Sequence, residues 1–231
     1  MGETVSYALP GGNINLFIER PANGPGPAVV VLHEVFGVND DMRASCRELA
    51  DRGFVAICPD LFWRISPGFS LSTWTDADLP RIQEIYRAFD RDQAAEDVAA
   101  ILAFARTPTV GTGKAGVMGY CMGGLMAFLT TARHGADASV VYYPGEAELY
   151  LAEATAVRTP MIVHLGTEDE YISKDAQRGI VEAFAGNPQV TVYSYTGCSH
   201  AFARHSGDHF DQAAAVLAND RTWSFLDGRL K

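Results

Sequence analysis

Short apolar runs alternate with helical patterns along the whole chain, and this alternation limits most strongly how the chain can fold. The runs "PAVVVLHE" (27–34) and "KAGVMGY" (114–120) are almost continuously apolar, as strands buried on both faces are. Between them, "RDQAAEDVAAILAFARTP" (91–108) repeats apolar residues at helical spacing. Strands alternating with helices form a mostly parallel, twisted sheet with helices on both faces. We therefore predict an α/β fold, in a single domain over residues 1–231.

The other elements follow from the same two patterns. Further strands are predicted at 14–21, 54–61, 138–145, 159–169 and 189–197. Further helices are predicted at 40–53, 121–135, 174–186 and 211–226. The stretch from residue 62 to about residue 80 has weak periodicity and is predicted to be a loop with a short helix.

Charge and cysteine content restrict the partners and the cellular compartment. The formal net charge of −10 argues against nucleic acid or an anionic membrane as the main partner. The four cysteines include no C-x-x-C pair, and such sparse use is typical of a reduced, intracellular protein. No long apolar run suggests a transmembrane helix. The N-terminal residues also lack the basic and apolar regions of a signal peptide. We expect a cytoplasmic protein.

A cysteine occupies a position that usually holds a serine. The sequence Gly119-Tyr120-Cys121-Met122-Gly123 has the G-x-Nuc-x-G spacing of a nucleophile elbow, and it lies between a predicted strand and a predicted helix. The tight turn of an elbow requires small flanking residues, which the two glycines supply. Alone, the motif leaves three interpretations of Cys121: a nucleophile, a redox thiol or a small buried residue.

Three predicted strands end close to residues that could act together. In chain order these are Cys121, Asp169 and His200, and the order nucleophile, acid, histidine is that of the α/β-hydrolase fold. Because a free thiol is only slightly ionised at neutral pH, a neighbouring imidazole would activate it by taking its proton. The aspartate would hold the imidazole in the useful tautomer. Backbone N–H groups of Met122 and Val35 could form the oxyanion hole.

Rival assignments exist for several of these roles. Glu168 and Glu170 flank Asp169 and compete with it as the acid. Cys198, two residues before His200, is a rival thiol and could pair with Cys121 in a disulfide. Other cysteines and histidines are better explained by packing or solvation. Cys58 lies in an apolar strand, Cys46 on a helix and His164 within a strand. The pair His205 and His209 has i, i+4 spacing, but no third metal ligand is evident.

The motifs "HEVFG", "PDLFWR", "GYCMGG", "GTEDEYI" and "SHAFAR" resemble those of the dienelactone hydrolase (carboxymethylenebutenolidase) family, in the family's order and over nearly the whole chain. The resemblance implies an α/β-hydrolase whose triad is Cys121, Asp169 and His200. It implies hydrolysis of dienelactone, an enol lactone with a carboxylate arm, to maleylacetate during degradation of chlorinated aromatic compounds. It also implies that Glu34 meets the resting thiol and holds it away from the histidine until substrate arrives.

The resemblance implies a substrate site as well. Two arginines of the family grip the substrate carboxylate, and one of them corresponds to Arg204. The family's second position falls near Leu79, so Arg81 fills this role only with a local shift. Tyr86 stands where the family has an aromatic residue. Two further aromatic side chains, Phe36 and Tyr142, are candidate pocket walls that could equally belong to the core.

These expectations combine into a carboxylic ester hydrolase that needs no metal or organic cofactor and acts on a small lactone carboxylate. The incomplete arginine pair keeps open a broader esterase or thioesterase of the same family. A non-catalytic redox sensor with Cys121 as its thiol is a further alternative. The sequence leaves the oligomeric state open and favours a monomer.

Overall fold

A computed structural model describes residues 2–205 and 207–231 of the chain. Its contacts divide the chain into two units, Met1–Ala115 and Gly116–Lys231. Strands and helices alternate through both units, as the sequence predicts. The assignment of the whole chain to a single domain stays a prediction.

The first unit contains four strands and three helices. The strands are β1 (Glu3–Leu9), β2 (Gly12–Glu19), β3 (Ala28–Leu32) and β4 (Val55–Pro59), and the helices are α1 (Asp40–Asp51), α2 (Leu79–Ala88) and α3 (Arg91–Ala105). The spatial order of the strands is β1-β2-β4-β3. β3 and β4 are parallel, with Val29 opposite Ala56, whereas β2 is antiparallel to β1 and to β4. All residues of β3 and β4 are buried, which explains their continuous apolar sequences.

The second unit contains four parallel strands in sequential order. They are β5 (Ala115–Tyr120), β6 (Ser139–Tyr142), β7 (Met161–Gly166) and β8 (Val190–Tyr195). The helices are α4 (Met122–Arg133), α5 (Lys174–Phe184) and α6 (Gln212–Leu230). Parallel pairing places the carboxyl ends of the four strands along one edge. The residues that follow β5, β7 and β8 therefore lie at the same edge of this unit.

Three elements were not predicted from the sequence. β1 is an edge strand with mostly exposed or half-buried residues, so hydrophobicity marks it weakly, and its pairing with β2 across a tight turn defines it. α2 begins at Leu79 with Pro80 in its first turn, a position that tolerates proline, although the sequence analysis placed Pro80 at the end of a loop. A 3₁₀ helix at Ala147–Ala156 lacks clear periodicity.

Candidate active site

The predicted elbow is a strained turn between β5 and α4. Cys121 has φ 54° and ψ −118°, and it is one of four residues other than glycine that have positive φ among those described. Such a conformation costs on the order of 1–3 kcal/mol and is retained where the surrounding structure fixes it. A Cβ atom on Gly119 would overlap the carbonyl oxygen of Gly123, so close packing across the turn explains the first glycine of the motif. The strand-turn-helix context predicted for Cys121 is confirmed.

The elbow also depends on a glycine that the motif does not include. A Cβ atom on Gly124 would overlap the carbonyl oxygen of Tyr142, so the first turn of α4 can pack against β6 only if residue 124 is glycine. The Cys121 N–H donates to the same carbonyl oxygen at 3.1 Å. Met122 is the first residue of α4, where a backbone N–H has no carbonyl partner within the helix. The assignment of this N–H to an oxyanion hole stays a prediction.

Asp169 and His200 form a buried pair at the carboxyl ends of β7 and β8. Nδ1 of His200 lies 2.8 Å from Oδ2 of Asp169. The other carboxylate oxygen accepts hydrogen bonds from the N–H groups of Tyr171 and Ile172, both at 2.9 Å. Two backbone donors hold Asp169 in this turn. Its carboxylate accepts a hydrogen bond from Nδ1–H of the imidazole, which leaves Nε2 to face a reacting group.

The Cys121 thiol lies close enough to His200 to change its protonation. Burial lowers the pKa of His200, but the negative charge of ionised Cys121 and the hydrogen bond and charge of Asp169 outweigh burial and raise this pKa to about 10. Nε2 of His200 is buried and has no hydrogen bond of good geometry within the described ranges 2–205 and 207–231. The imidazole therefore keeps its proton at neutral pH when the thiol is ionised.

The two carboxylates beside Asp169 have different surroundings. Glu168 is exposed and pairs with Lys174 at 2.8 Å, and Lys174 lowers the pKa of Glu168. Glu170 accepts a hydrogen bond from the backbone N–H of His200 at 3.2 Å and does not bond its ring. Of the three candidates for the acid, Asp169 is the one that contacts the imidazole.

The other cysteines are buried and lie outside elbows. Burial, and then the charge of Asp211, raise the pKa of the Cys198 thiol, which makes it a poor nucleophile. Cys46 and Cys58 are buried in α1 and β4, as predicted for structural residues. All four cysteines are free, so the disulfide considered between Cys121 and Cys198 is not formed.

Three predicted site residues, Glu34, Val35 and Phe36, follow β3 in the first unit, directly after His33. His33 is fully buried: Leu61 N–H donates to its Nε2 at 3.0 Å, so Nδ1 carries the proton and donates to the carbonyl oxygen of Glu34 at 2.6 Å. Burial lowers the pKa of His33 to about 4. Glu34 is buried, Val35 is half-buried in the turn, and Phe36 stacks on Trp74 with ring centroids 5.6 Å apart. His33 thus fixes the backbone at Glu34, a role that the sequence analysis missed.

The two arginines proposed for the substrate carboxylate differ in their surroundings. Arg81, on α2, is exposed and bonds Glu84 at 2.7 Å and Ser66 at 2.9 Å. Tyr86, on the same helix, has the guanidinium of Arg91 over its ring at 4.8 Å. Arg204 is partly exposed on the loop after His200. Its backbone N–H donates to the carbonyl oxygen of Ala201. Arg81 is therefore already bonded to a carboxylate of its own helix.

Tyr142 is fully buried in a polar network below the strand ends. Its hydroxyl bonds Asn219 at 2.9 Å and Thr222 at 2.7 Å, and its ring stacks on His164. His164 in turn bonds Tyr195 and Thr222, and burial and the charge of Arg221 lower its pKa to about 3. The prediction that His164 is a packed core histidine is confirmed. Tyr142 has the environment of a core residue, whereas the adjacent Tyr143 packs edge-on against His200 with ring centroids 5.0 Å apart.

Neither a metal-binding cluster nor a membrane-spanning helix is present in the part of the chain that the structure describes. No cluster of three or more His, Cys, Asp or Glu side chains suited to a metal ion occurs in 2–205 and 207–231. Within the same ranges, no helix has both the length and the apolar character needed to cross a bilayer.

The fold and the site define an α/β-hydrolase with a cysteine at its elbow. Residues 14–230 match the sequence profile of the dienelactone hydrolase family, and the chain belongs to this family. It is therefore a hydrolase, and both the predicted family and the predicted fold class are confirmed.

Relatives named as carboxymethylenebutenolidases support this membership over almost the full length. Carboxymethylenebutenolidase from Pseudomonas putida is 35% identical over 216 residues, which cover 94% of this chain and 92% of the relative. Carboxymethylenebutenolidase 1 from Cupriavidus pinatubonensis is 33% identical with the same coverage. A solved structure from Klebsiella pneumoniae subsp. pneumoniae superimposes with a TM-score of 0.86 at 24% identity and covers 98% of both chains, which shows the shared fold.

Proposed function

We propose that this protein opens the enol-lactone ring of dienelactone to maleylacetate, with Cys121 as the nucleophile and a thioester as the intermediate. The observation that carries the proposal is the arrangement of Cys121, His200 and Asp169: a strained elbow thiol beside an imidazole whose pKa is raised to about 10 and whose Nδ1 bonds a fixed carboxylate. The carboxymethylenebutenolidases of Pseudomonas putida and Cupriavidus pinatubonensis support the choice of substrate.

In the first half of the reaction the Cys121 thiolate attacks the lactone carbonyl carbon. The carbonyl oxygen becomes an oxyanion, which the N–H of Met122, with that of Val35, stabilises. Collapse of this tetrahedral intermediate breaks the ring C–O bond and gives the thioester. The ring oxygen leaves as a stabilised enolate and takes up the proton that His200 holds on Nε2.

In the second half water hydrolyses the thioester. His200, now neutral, takes a proton from the attacking water, and the resulting imidazolium is stabilised by Asp169. The new tetrahedral intermediate expels the Cys121 thiolate and releases the product as a carboxylic acid, which loses its proton to solvent. The thiolate and imidazolium are restored together, so one water is consumed for each ring opened.

Recognition of the substrate carboxylate is assigned to Arg204, with Arg81 as the second candidate. A guanidinium can bind a carboxylate with two parallel hydrogen bonds, and a local cation is needed on a chain of net charge −10. Tyr86 and Phe36 complete the proposed substrate residues, whereas the predicted Tyr142 is enclosed in the core network with Asn219 and Thr222. A place in the degradation of chlorinated aromatic compounds and a location in the cytoplasm belong to the same proposal.

The gating role of Glu34 is proposed on the family resemblance and on the chemistry of the pair. An ionised carboxylate near a thiol disfavours the thiolate, so it would keep Cys121 unreactive until a substrate carboxylate displaces it. Glu34 is buried at the end of β3, and its carbonyl is fixed by His33. The rate of Cys121 alkylation in E34Q tests this role. We expect the rate to rise, because the glutamine carries no charge that disfavours the thiolate.

A second candidate is a broader small-ester or thioester hydrolase that uses the same three residues. The pairing of Arg81 with Glu84 and Ser66 favours it, because an arginine bound to its own helix is less available to a substrate carboxylate.

One kinetic comparison tests the proposal. The ratio kcat/KM is measured for cis- and trans-dienelactone and for an analogue without the carboxylate, in the wild type and in C121A. We expect hydrolysis of a dienelactone, at least about tenfold preference for the acid, and no turnover by C121A. Equal rates with the neutral analogue would favour the broader esterase. Full activity in C121A would exclude Cys121 as the nucleophile. A wild-type protein that is inactive on these substrates and forms a peroxide-dependent disulfide through Cys121 would favour the redox sensor.

A further inference from the structure

The side chains of Glu170 and His209 form hydrogen bonds with the backbone N–H and the backbone carbonyl group of His200. The N–H of His200 donates to Oε2 of Glu170 at 3.2 Å. The carbonyl oxygen of His200 accepts from Nδ1 of His209 at 3.0 Å. Nδ1 of His209 also lies 3.2 Å from Oε1 of Glu170. Glu170, His209 and the peptide groups of His200 are therefore joined in a closed set of three polar contacts, two hydrogen bonds and one ion-pair contact.

These contacts fix Nδ1 of His209 as a donor. Both atoms that Nδ1 of His209 contacts, a carbonyl oxygen and a carboxylate oxygen, can only accept hydrogen bonds. Nδ1 must therefore carry a proton, which it shares between them. The interaction holds with a neutral His209, and a charged His209 would only strengthen the contact with Glu170.

The backbone at this point needs support. Ala201, which follows His200, has φ 60°, a left-handed conformation that is costly for a residue with a Cβ atom. It lies on the loop between the end of β8 at Tyr195 and the start of α6 at Gln212. The imidazole ring of His200 is oriented by one hydrogen bond to Asp169 and by edge contacts with Tyr143 and Tyr171.

We propose that Glu170 and His209 are positioning residues, which hold the main chain of His200 so that its Nε2 stays aligned with Cys121. The inference rests on the proposed function only in that His200 acts as its proton carrier. Since proton transfer requires the reacting groups within hydrogen-bond reach, a shift of His200 by a fraction of an ångström lowers kcat. Substrate binding through Arg204 is left largely unchanged.

The exposure of the pair separates this role from a role in stability. The side chains of Glu170 and His209 are 41% and 42% exposed. Surface pairs of this kind contribute little to folding, so their removal leaves the protein folded. A loss of activity in these variants is therefore a change in the site and not loss of the native state.

The test compares E170A, H209A and H209N with the matched control E168A, which removes a carboxylate on the other side of Asp169. We expect E170A and H209A to lower kcat by about tenfold with KM changed less than about twofold. H209N places an amide N–H where Nδ1 was and is expected to restore most of the activity. E168A is expected to behave as the wild type, because Glu168 pairs with Lys174 at the surface.

Two readouts are independent of the substrate. The Nδ1 proton of His200 gives a downfield NMR resonance, which we expect to broaden in E170A and H209A and to persist in H209N and E168A. The rate of Cys121 alkylation by iodoacetamide is expected to change in the same two variants. An unaltered resonance, alkylation rate and kcat in H209A and E170A would overturn the proposal. Absence of dienelactone hydrolysis by the wild type would instead overturn the proposed substrate, while the resonance and the alkylation rate still decide the positioning role.

Discussion

The carboxylate of Asp169 bonds His200 with one oxygen and its own turn with the other. Oδ2 lies 2.8 Å from Nδ1 of His200, and Oδ1 accepts from two backbone N–H groups. The loop between β7 and α5 therefore orients the imidazole through a side chain that cannot rotate without breaking two further hydrogen bonds. Neither neighbour, Glu168 or Glu170, can take this place without rebuilding the turn.

D169N is expected to lower kcat by about 10²–10⁴. The amide keeps the shape of the side chain, but its NH₂ group, if turned towards His200, favours the tautomer with the proton on Nε2. KM for dienelactone should change little, because Asp169 is buried beneath the imidazole. Steady-state kinetics of D169N and the control E168A measure the effect. A loss of equal size in E168A would show that charge in this turn, and not the contact with His200, matters.

C121S is expected to lose most activity, and C198A is expected to keep it. A serine hydroxyl is far less acidic than a thiol, so the site that stabilises a thiolate beside an imidazolium provides too little driving force for an alkoxide. Cys198 is buried, with a raised pKa, and has no elbow. Single-turnover assays should show a thioester in the wild type and in C198A. Turnover of C121S close to that of the wild type would contradict a site tuned to a thiolate.

The pKa of His200 is expected to fall in C121A. Burial alone lowers this pKa, and the charge of Cys121 is the largest influence that raises it to about 10. In the wild type, the stabilising contribution of protonated His200 is complete below about pH 6.5, the unfolded value, and is lost as the pH rises towards 10. NMR titration of ¹⁵N-labelled imidazoles from pH 6 to 10.5 measures the shift, with the buried, neutral His164 as an invariant reference. An unchanged titration of His200 in C121A would show that the thiol is not its electrostatic partner.

The fold was predictable where a strand is buried on both faces of the sheet and where a glycine marks a turn. β3 and β5 are buried along their whole length, so their sequences are continuous apolar runs. The elbow was predictable because close packing at Gly119 restricts the residue type. β1 was missed because its strand form depends on pairing with β2, which local hydrophobicity does not encode.

The candidate site was predictable for residues whose chemistry is unusual and not for those that support them. Cys121, Asp169 and His200 follow strands in a known order, but nothing local shows that His209 bonds the carbonyl of His200. That contact requires the segment between β8 and α6 to bring His209 beside the backbone of His200. Sequence spacing suggested a surface or metal-binding histidine, and the left-handed Ala201 that redirects the chain has no sequence signal.

H33F is expected to lower the free energy of unfolding by about 2–4 kcal/mol at pH 7, because it leaves the Leu61 N–H and the Glu34 carbonyl without a buried partner. The new ring keeps the edge contact with Phe62, so the loss reports hydrogen bonding. The pKa of His33 is lowered to about 4. Stability from neutral His33 is therefore present above about pH 6.5 and is lost as the pH falls towards 4. Urea denaturation of both proteins between pH 7 and pH 4.5 should show the difference shrinking as the pH falls. A difference that stays constant would mean that burial does not lower the pKa of His33.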